Sequence, residues 1–124
     1  MRRLILAAML LTLANCVWAF SGNDLLRNCQ EGLSSFDAAK NDNAQQAAVC
    51  AYFVDGILEG VQSAEAILGE GKKPYRIICK PTGTTYGQLA RAVAKWLEDN
   101  PERLHENAAM LVVLALSETF PCKE

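Results

Sequence analysis

The chain has 124 residues, of which 51% are hydrophobic, and its 12 basic and 14 acidic residues give a net charge of −2. This length is typical of a single domain that buries an ordinary hydrophobic core. A slightly acidic chain without a run of basic residues is a poor candidate for binding nucleic acid or an anionic membrane surface.

The first residues have the pattern of an export signal. Arg2 and Arg3 precede an apolar run over residues 4–13, and residues 17–19 offer the small-x-small pattern that signal peptidase accepts. The run is well short of the about 20 residues that a membrane-spanning helix needs. We therefore predict a cleaved signal peptide over residues 1–19. The single domain over residues 20–124 then has a net charge of −4, because two arginines are removed. Lipidation at Cys16, which would tether the protein to a membrane, is the alternative.

Four cysteines remain after this cleavage, namely Cys29, Cys50, Cys79 and Cys122. An even number of cysteines in a small exported domain predicts two disulfides. Their spacing contains no C-x-x-C pair, which argues against a zinc site. Three pairings are open. We favour Cys50 with Cys79 and Cys29 with Cys122, a nested arrangement that clamps the middle of the chain and closes its ends.

Two helices are predicted in the first half of this domain. Ser21 is suited to cap a short helix that ends near Gly32, and the polar residues 33–43 are expected to form a loop. Asp42 begins a capping-box-like pattern, so a long second helix should follow and reach about Leu68.

The long helix has an apolar side and a stripe of small residues. Gly56 and Gly60 each cost about 1 kcal/mol relative to alanine, so a specific contact should justify them. With Ala48 and Ala64 they form a stripe at four-residue spacing that lets another backbone approach closely. We favour close packing within the monomer over a dimer or partner surface. The residues expected to face the core are Val49, Phe53, Ile57, Val61 and Leu68.

A helical hairpin is predicted in the last third of the chain. Thr85 with Gln88 forms a capping box, so one helix starts there. Asn100 is a good N-cap and Pro101 is a favoured first helical residue, so another helix should follow at once. Residues 108–116 are apolar all round, which indicates a buried helix. The predicted fold is all-α, a compact bundle of about four helices stapled by two disulfides.

No residue pattern in the chain predicts catalysis. Oxidised cysteines offer no thiolate, and the single histidine, His105, stands where a surface or packing residue is usual. The Glu98-Asp99 pair is expected to face solvent. There is no phosphate loop, dinucleotide fingerprint or G-x-S-x-G motif. We expect a binding or inhibitory module without a cofactor or metal, rather than an enzyme.

The order of motifs resembles the Rap/Tai family of periplasmic immunity proteins, which neutralise cell-wall amidase toxins delivered by type VI secretion. The resemblance covers nearly the whole predicted domain. The residues that carry it are 22–26, 49–56, 79–81, 88–89, 96–97, 100–102, 104–105 and 120–122, together with Cys29 and Ala108.

This resemblance implies a periplasmic, disulfide-bonded four-helix protein, often a homodimer, that inserts a helix end and loop into the active-site groove of its cognate peptidoglycan amidase. Inhibition would be steric. The hinge between the last two helices is the segment expected to bind the toxin, because it combines an aromatic ring, carboxylates and an arginine with a stiff proline. The residues concerned are Trp96, Glu98, Asp99, Asn100, Glu102 and Arg103. The alternative is that Trp96 belongs to the core and the charges are merely solvated.

A second function is open, that of a periplasmic acid-stress chaperone, since those small helical proteins share a similar layout. Such a protein must loosen at low pH and expose apolar surface. With one histidine in the chain, buried carboxylates would have to trigger the change.

Overall fold

The computed structural model describes residues 19–38, 44–69 and 76–123, with the backbone alone for residues 35–38. Within these ranges the chain is helical and contains no strand, which confirms the predicted all-α bundle. The elements are α1 (Gly22–Ala38), α2 (Ala44–Leu68), α3 (Tyr86–Asp99), a short 3-10 helix (Pro101–Arg103) and α4 (Ala108–Thr119). None of the described helices is both long and apolar enough to cross a bilayer. Cys16 and the predicted signal peptide up to residue 18 lie outside the described residues.

Helix α1 starts as predicted but continues well past its predicted end. The Ser21 hydroxyl accepts from the Asp24 N–H at 3.3 Å, and the Asp24 carboxylate accepts from the Ser21 N–H at 3.1 Å, so the two residues cap the helix reciprocally. The prediction of a helix end near Gly32 was wrong. Gly32 is buried, and a Cβ at this position would overlap the backbone of Ala47 in α2. This glycine therefore serves close packing of α1 on α2 and does not end the helix.

Helix α2 has the predicted length, but only three of the five residues predicted to face the core pack against it. Val49 is 39% exposed and Leu68 is 82% exposed, and the other three residues of the predicted face lie at the edge of the core. The contact with Gly32 and the disulfide at Cys50 fix the rotation of the helix, and neither follows from the spacing of large apolar residues. The residues of α2 that are buried are Ala47, Cys50, Val54 and Leu58.

The two glycines in the small-residue stripe of α2 make no close helix contact with the described part of the chain. Gly56 and Gly60 are exposed, and a Cβ at either would meet no atom within 4 Å. The preference for close packing within the monomer was therefore wrong at both glycines. The close helix contact lies elsewhere, at Gly32.

All four cysteines of the domain form disulfides, but the favoured nested pairing was wrong. Cys29 in α1 pairs with Cys50 in α2, and Cys79 pairs with Cys122 near the C-terminus, with Cα–Cα distances of 4.9 and 5.0 Å. The Cys79 N–H donates to the Phe120 carbonyl at 2.9 Å, which brings the second pair together. Each bridge thus closes one half of the bundle, one across α1 and α2 and one around α3 and α4.

Helices α3 and α4 complete the core. The capping box of Thr85 and Gln88 is present as predicted at the start of α3. The last helix does not start at Asn100, as predicted, but at Ala108, where the Asn107 side chain accepts the N–H groups of the first turn. Since Pro101 opens only a short 3-10 helix, α3 and α4 are joined by a structured connection rather than by an immediate restart.

Candidate partner-binding site

The connection between α3 and α4, residues 99–107, is fastened to the start of α1. We call it the connecting turn. Its Leu104 carbonyl accepts from the Asn23 N–H at 2.9 Å, and its Glu106 carbonyl accepts from the Gly22 N–H at 3.0 Å. Just beyond it, the Ala108 N–H donates to the Phe20 carbonyl at 2.9 Å. A turn held at several backbone positions loses little conformational entropy when a partner binds it.

Trp96 lies at the base of this turn and is only 8% exposed. Its indole Nε1 donates to Glu118 Oε2 of α4 at 2.7 Å. Its backbone carbonyl accepts from Asn100 Nδ2, also at 2.7 Å. In the free protein Trp96 therefore occupies a core position, as the alternative interpretation had it, and its contact with a partner stays a prediction.

Arg103 is held against this indole. Its Cζ lies 5.7 Å from the centroid of the Trp96 ring, a distance at which a guanidinium is attracted to an aromatic face. Its Nε and Nη2 donate to the two carboxylate oxygens of Glu106 at 2.8 and 2.9 Å. This bidentate pair raises the pKa of Arg103 and lowers the pKa of Glu106, in both cases mainly through the side-chain hydrogen bonds. Arg103 therefore has a defined position on the surface.

The three predicted carboxylates surround this centre and are exposed. Glu98 accepts from Gln30 Nε2 in α1 at 2.9 Å, and Asp99 accepts from Lys95 Nζ at 2.9 Å. Glu102 makes no hydrogen bond or ion pair with another described residue, although its negative charge contributes to the raised pKa of Arg103. Exposed pairs of this kind contribute little to stability, so these side chains are available for other contacts.

The structure thus brings Trp96, Asn100 and Arg103 into one network and leaves the three predicted carboxylates at its rim. Two members of the network were missed by the sequence analysis. Glu106 follows Arg103 by three residues, a spacing that favours an ion pair on a helical turn and could have suggested it. Glu118 is 22 residues from Trp96, and no local pattern connects them.

The described residues contain no group of His, Cys, Asp and Glu side chains able to hold a metal ion, and none of their polar or charged side chains is buried. His105 is exposed and lies in the connecting turn, whereas the predicted helix start at Asn100 would have placed it within the last helix. A rigid turn that presents carboxylates and an arginine is suited to contact a partner of complementary charge.

A second surface lies between α2 and α4. It is an open, largely apolar groove of about 490 Å³, bordered by Gly56, Gly60 and Ala64 of α2 and by Met110 and Val113 of α4. Met110 is 56% exposed. We call this surface the α2–α4 groove, and it is the place where the small-residue stripe meets the second half of the bundle.

A comparison with protein-family models gives one match, which covers residues 21–122, to the family described as Rap1a immunity proteins. No curated protein and no solved structure matches the chain significantly.

Proposed function

Because the chain belongs to the Rap1a immunity protein family, we propose that it is a periplasmic immunity protein that binds and sterically blocks a type VI secreted peptidoglycan amidase. The family match over residues 21–122 is the observation that carries this proposal. The protein acts by occupying the toxin and performs no chemistry of its own. The predicted signal peptide over residues 1–19 takes it to the compartment where such a toxin acts.

The connecting turn and the adjoining end of α3 are the proposed toxin-binding site. Glu98, Asp99 and Glu102 are exposed beside a turn whose backbone is already fixed to α1, and Glu106 holds Arg103 of this turn in a defined position. Preorganised charged side chains of this kind favour rapid and selective association with a partner of complementary charge. The proposed inhibition follows when this turn fills the active-site groove of the amidase.

A homodimer is part of the same proposal. The α2–α4 groove offers small residues at which another backbone can approach closely, and Met110 at its border is an exposed apolar side chain. Exposed apolar surface rimmed by polar residues is typical of an interaction surface.

The acid-stress chaperone alternative gains no support from these observations. Acid-triggered opening would need carboxylates that are buried at neutral pH. None of the carboxylates whose side chains the structure describes is buried.

The function is tested by rescue from toxin-induced lysis. Type VI amidases of different cleavage specificity are directed to the periplasm of a test strain, with and without co-expression of the chain from Met1. At least one of them should be neutralised, and the purified pair should show loss of amidase activity at a 1:1 ratio. A chain lacking residues 2–19, which stays in the cytoplasm, should not rescue. Failure to rescue from or bind any of these amidases would refute the proposal.

The site is tested by charge reversal. Glu98→Lys, Asp99→Lys and Glu102→Lys together should weaken binding of the neutralised amidase by about a hundredfold, since like charges at an interface cost several kcal/mol. The melting temperature should change little, because all three residues are exposed. Glu59→Lys, a reversal at an exposed site on α2, is the control. Unchanged affinity of the triple variant would exclude this segment from the site.

A further inference from the structure

Glu118 connects the far end of α4 to the base of the connecting turn. It is the penultimate residue of α4, is exposed, and accepts the indole N–H of Trp96 at 2.7 Å. An indole nitrogen has a single donor and no acceptor, so this hydrogen bond is the one that the ring nitrogen can make. Trp96 belongs to the core cluster and is 8% exposed. The Glu118 carboxylate therefore holds the nitrogen edge of a largely buried ring.

The orientation of this ring matters to the turn because the Arg103 guanidinium lies over it, 5.7 Å from its centroid. Glu106 holds the same guanidinium through two hydrogen bonds. Asn100, which donates to the Trp96 carbonyl, ties the backbone of the turn to the same residue. Movement of the indole would therefore displace both ends of the 3-10 helix that carries Glu102.

We propose that Glu118 is a positioning residue of the toxin-binding turn, which acts by fixing the Trp96 indole and, through it, the place that Arg103 and Glu102 take toward the amidase. This role rests on the proposed function. Glu118 itself need not touch the toxin. Without a carbonyl or carboxylate oxygen at residue 118, the indole N–H turns toward water and Arg103 loses the ring face on which it lies.

If Glu118 served only to stabilise the fold, its removal would lower the global stability of the bundle. Glu118 is on the surface, and its removal deletes no buried apolar group, so the global stability of the bundle should hardly change. The expected change is local. The ring becomes more accessible, amides in residues 99–107 exchange faster, and toxin affinity falls.

The experiment compares Glu118→Ala with Glu118→Gln in the full chain carrying Trp18→Phe. Of the two tryptophans in the chain, Trp96 then remains as the single fluorescent reporter. Glutamine keeps an oxygen that accepts from the indole N–H but carries no charge. Glu59→Ala removes the same charge at an exposed position on α2 and is the matched control.

Two sets of measurements are made. Without toxin, acrylamide quenching of Trp96 and hydrogen exchange of residues 99–107 should increase in Glu118→Ala and remain at parent values in Glu118→Gln and Glu59→Ala. With the amidase neutralised in the rescue experiment as probe, Glu118→Ala should bind about tenfold more weakly, the loss expected when a long side chain such as Arg103 must be immobilised on binding. Glu118→Gln should restore most of the affinity.

A double-mutant cycle shows whether the effect passes through the indole. Trp96→Phe keeps an aromatic ring and removes the N–H, so adding Glu118→Ala to it should cause almost no further loss of affinity. Additive losses, unchanged quenching in Glu118→Ala, or failure of glutamine to rescue would each overturn the positioning role. If the parent chain binds no amidase, the proposed function falls and this role with it, while the quenching data still show whether Glu118 holds Trp96.

Discussion

The two helix pairs of this bundle are held together in different ways. In the α1–α2 pair the backbones approach closely at Gly32 and Ala47, and the disulfide between Cys29 and Cys50 is buried. The α3–α4 pair contributes large buried side chains such as Leu97 and Leu111 to the core, and the disulfide between Cys79 and Cys122 is only partly buried and lies beside the end of α4. Side-chain hydrogen bonds around Trp96 then shape the connecting turn.

Because of this difference, the two helix pairs have different roles. The α1–α2 pair is a tightly closed support, because there is no room at its contact for a single additional methyl group. The α3–α4 pair supplies the connecting turn. On the side of the bundle, Glu118 and Trp96 hold the polar side chains of this turn in place. On the other side these side chains are exposed to solvent. The support also carries the backbone N–H groups of Gly22 and Asn23, to which that turn is fastened.

The largest expected effect is the loss of either disulfide. Replacing both cysteines of a pair by alanine should cost about 3 kcal/mol for Cys29–Cys50 and about 4 kcal/mol for Cys79–Cys122 from loop entropy alone. Cys29 and Cys50 are also buried, and the space left by their sulfurs should add about 1–2 kcal/mol. Urea unfolding should therefore rank Cys29→Ala with Cys50→Ala as the more destabilised protein. The reverse order would mean that loop length outweighs core packing.

The next effect is at the α1–α2 contact. Gly32→Ala should destabilise the protein by about 2 kcal/mol, because the new methyl group meets the backbone of Ala47 and one helix must move. Alanine is the better helix former, so its intrinsic preference works against this loss and does not cause it. A melting temperature equal to that of the parent would show that α1 and α2 can separate without cost.

The same substitution on the other side of α2 should have the opposite sign. Gly56→Ala and Gly60→Ala meet no atom within 4 Å, so each should stabilise an isolated copy of the chain by up to about 1 kcal/mol. If the α2–α4 groove is the dimer interface, the gain should appear only at concentrations where the protein is monomeric, and sedimentation should show a weakened dimer. A uniform gain with an unchanged association state would remove this groove from the proposed interface.

A feature of these regions could be predicted from the sequence when the interaction that determines it is local in the chain. The start of α3 follows from Thr85 and Gln88 alone, and the buried character of α4 follows from its own composition. The role of Gly32 was missed because a glycine that ends a helix and a glycine that admits a neighbouring helix have the same local pattern. The disulfide pairing was missed because it depends on how α1 and α2 face one another.

The candidate site shows the same limit. The hinge was placed correctly between the last two helices, since Asn100 and Pro101 mark it locally. Its length was wrong, because Asn107 and not Asn100 caps α4. The contact of Trp96 with Glu118 joins residues on different helices, and only the packing of α3 on α4 brings them together.

The smallest expected effect is a loss of stability at low pH, to which both helix pairs contribute. The pKa of Asp24 in α1 is lowered mainly by the hydrogen bond from the Ser21 hydroxyl, and the pKa of Glu106 in the turn is lowered mainly by its hydrogen bonds with Arg103. A carboxyl group with a lowered pKa in the folded state stabilises the fold above its unfolded pKa, which is 3.8 for Asp24 and 4.5 for Glu106. That stabilisation is lost as the pH falls through the lowered values.

Replacing each carboxyl group in turn assigns this dependence to one pair or the other. Glu106→Gln should reduce the loss of stability below pH 4.5 and should loosen Arg103. Asp24→Asn should reduce the loss of stability that begins below pH 3.8 and should leave Arg103 in place. Carboxyl NMR titration gives the two pKa values, and thermal unfolding between pH 2 and pH 6 gives the stability. Because both groups are still partly exposed to solvent, each contribution is small and should weaken further in salt. A steep loss of structure that neither variant reduces would point to another carboxylate, and would reopen the question of an acid-responsive protein.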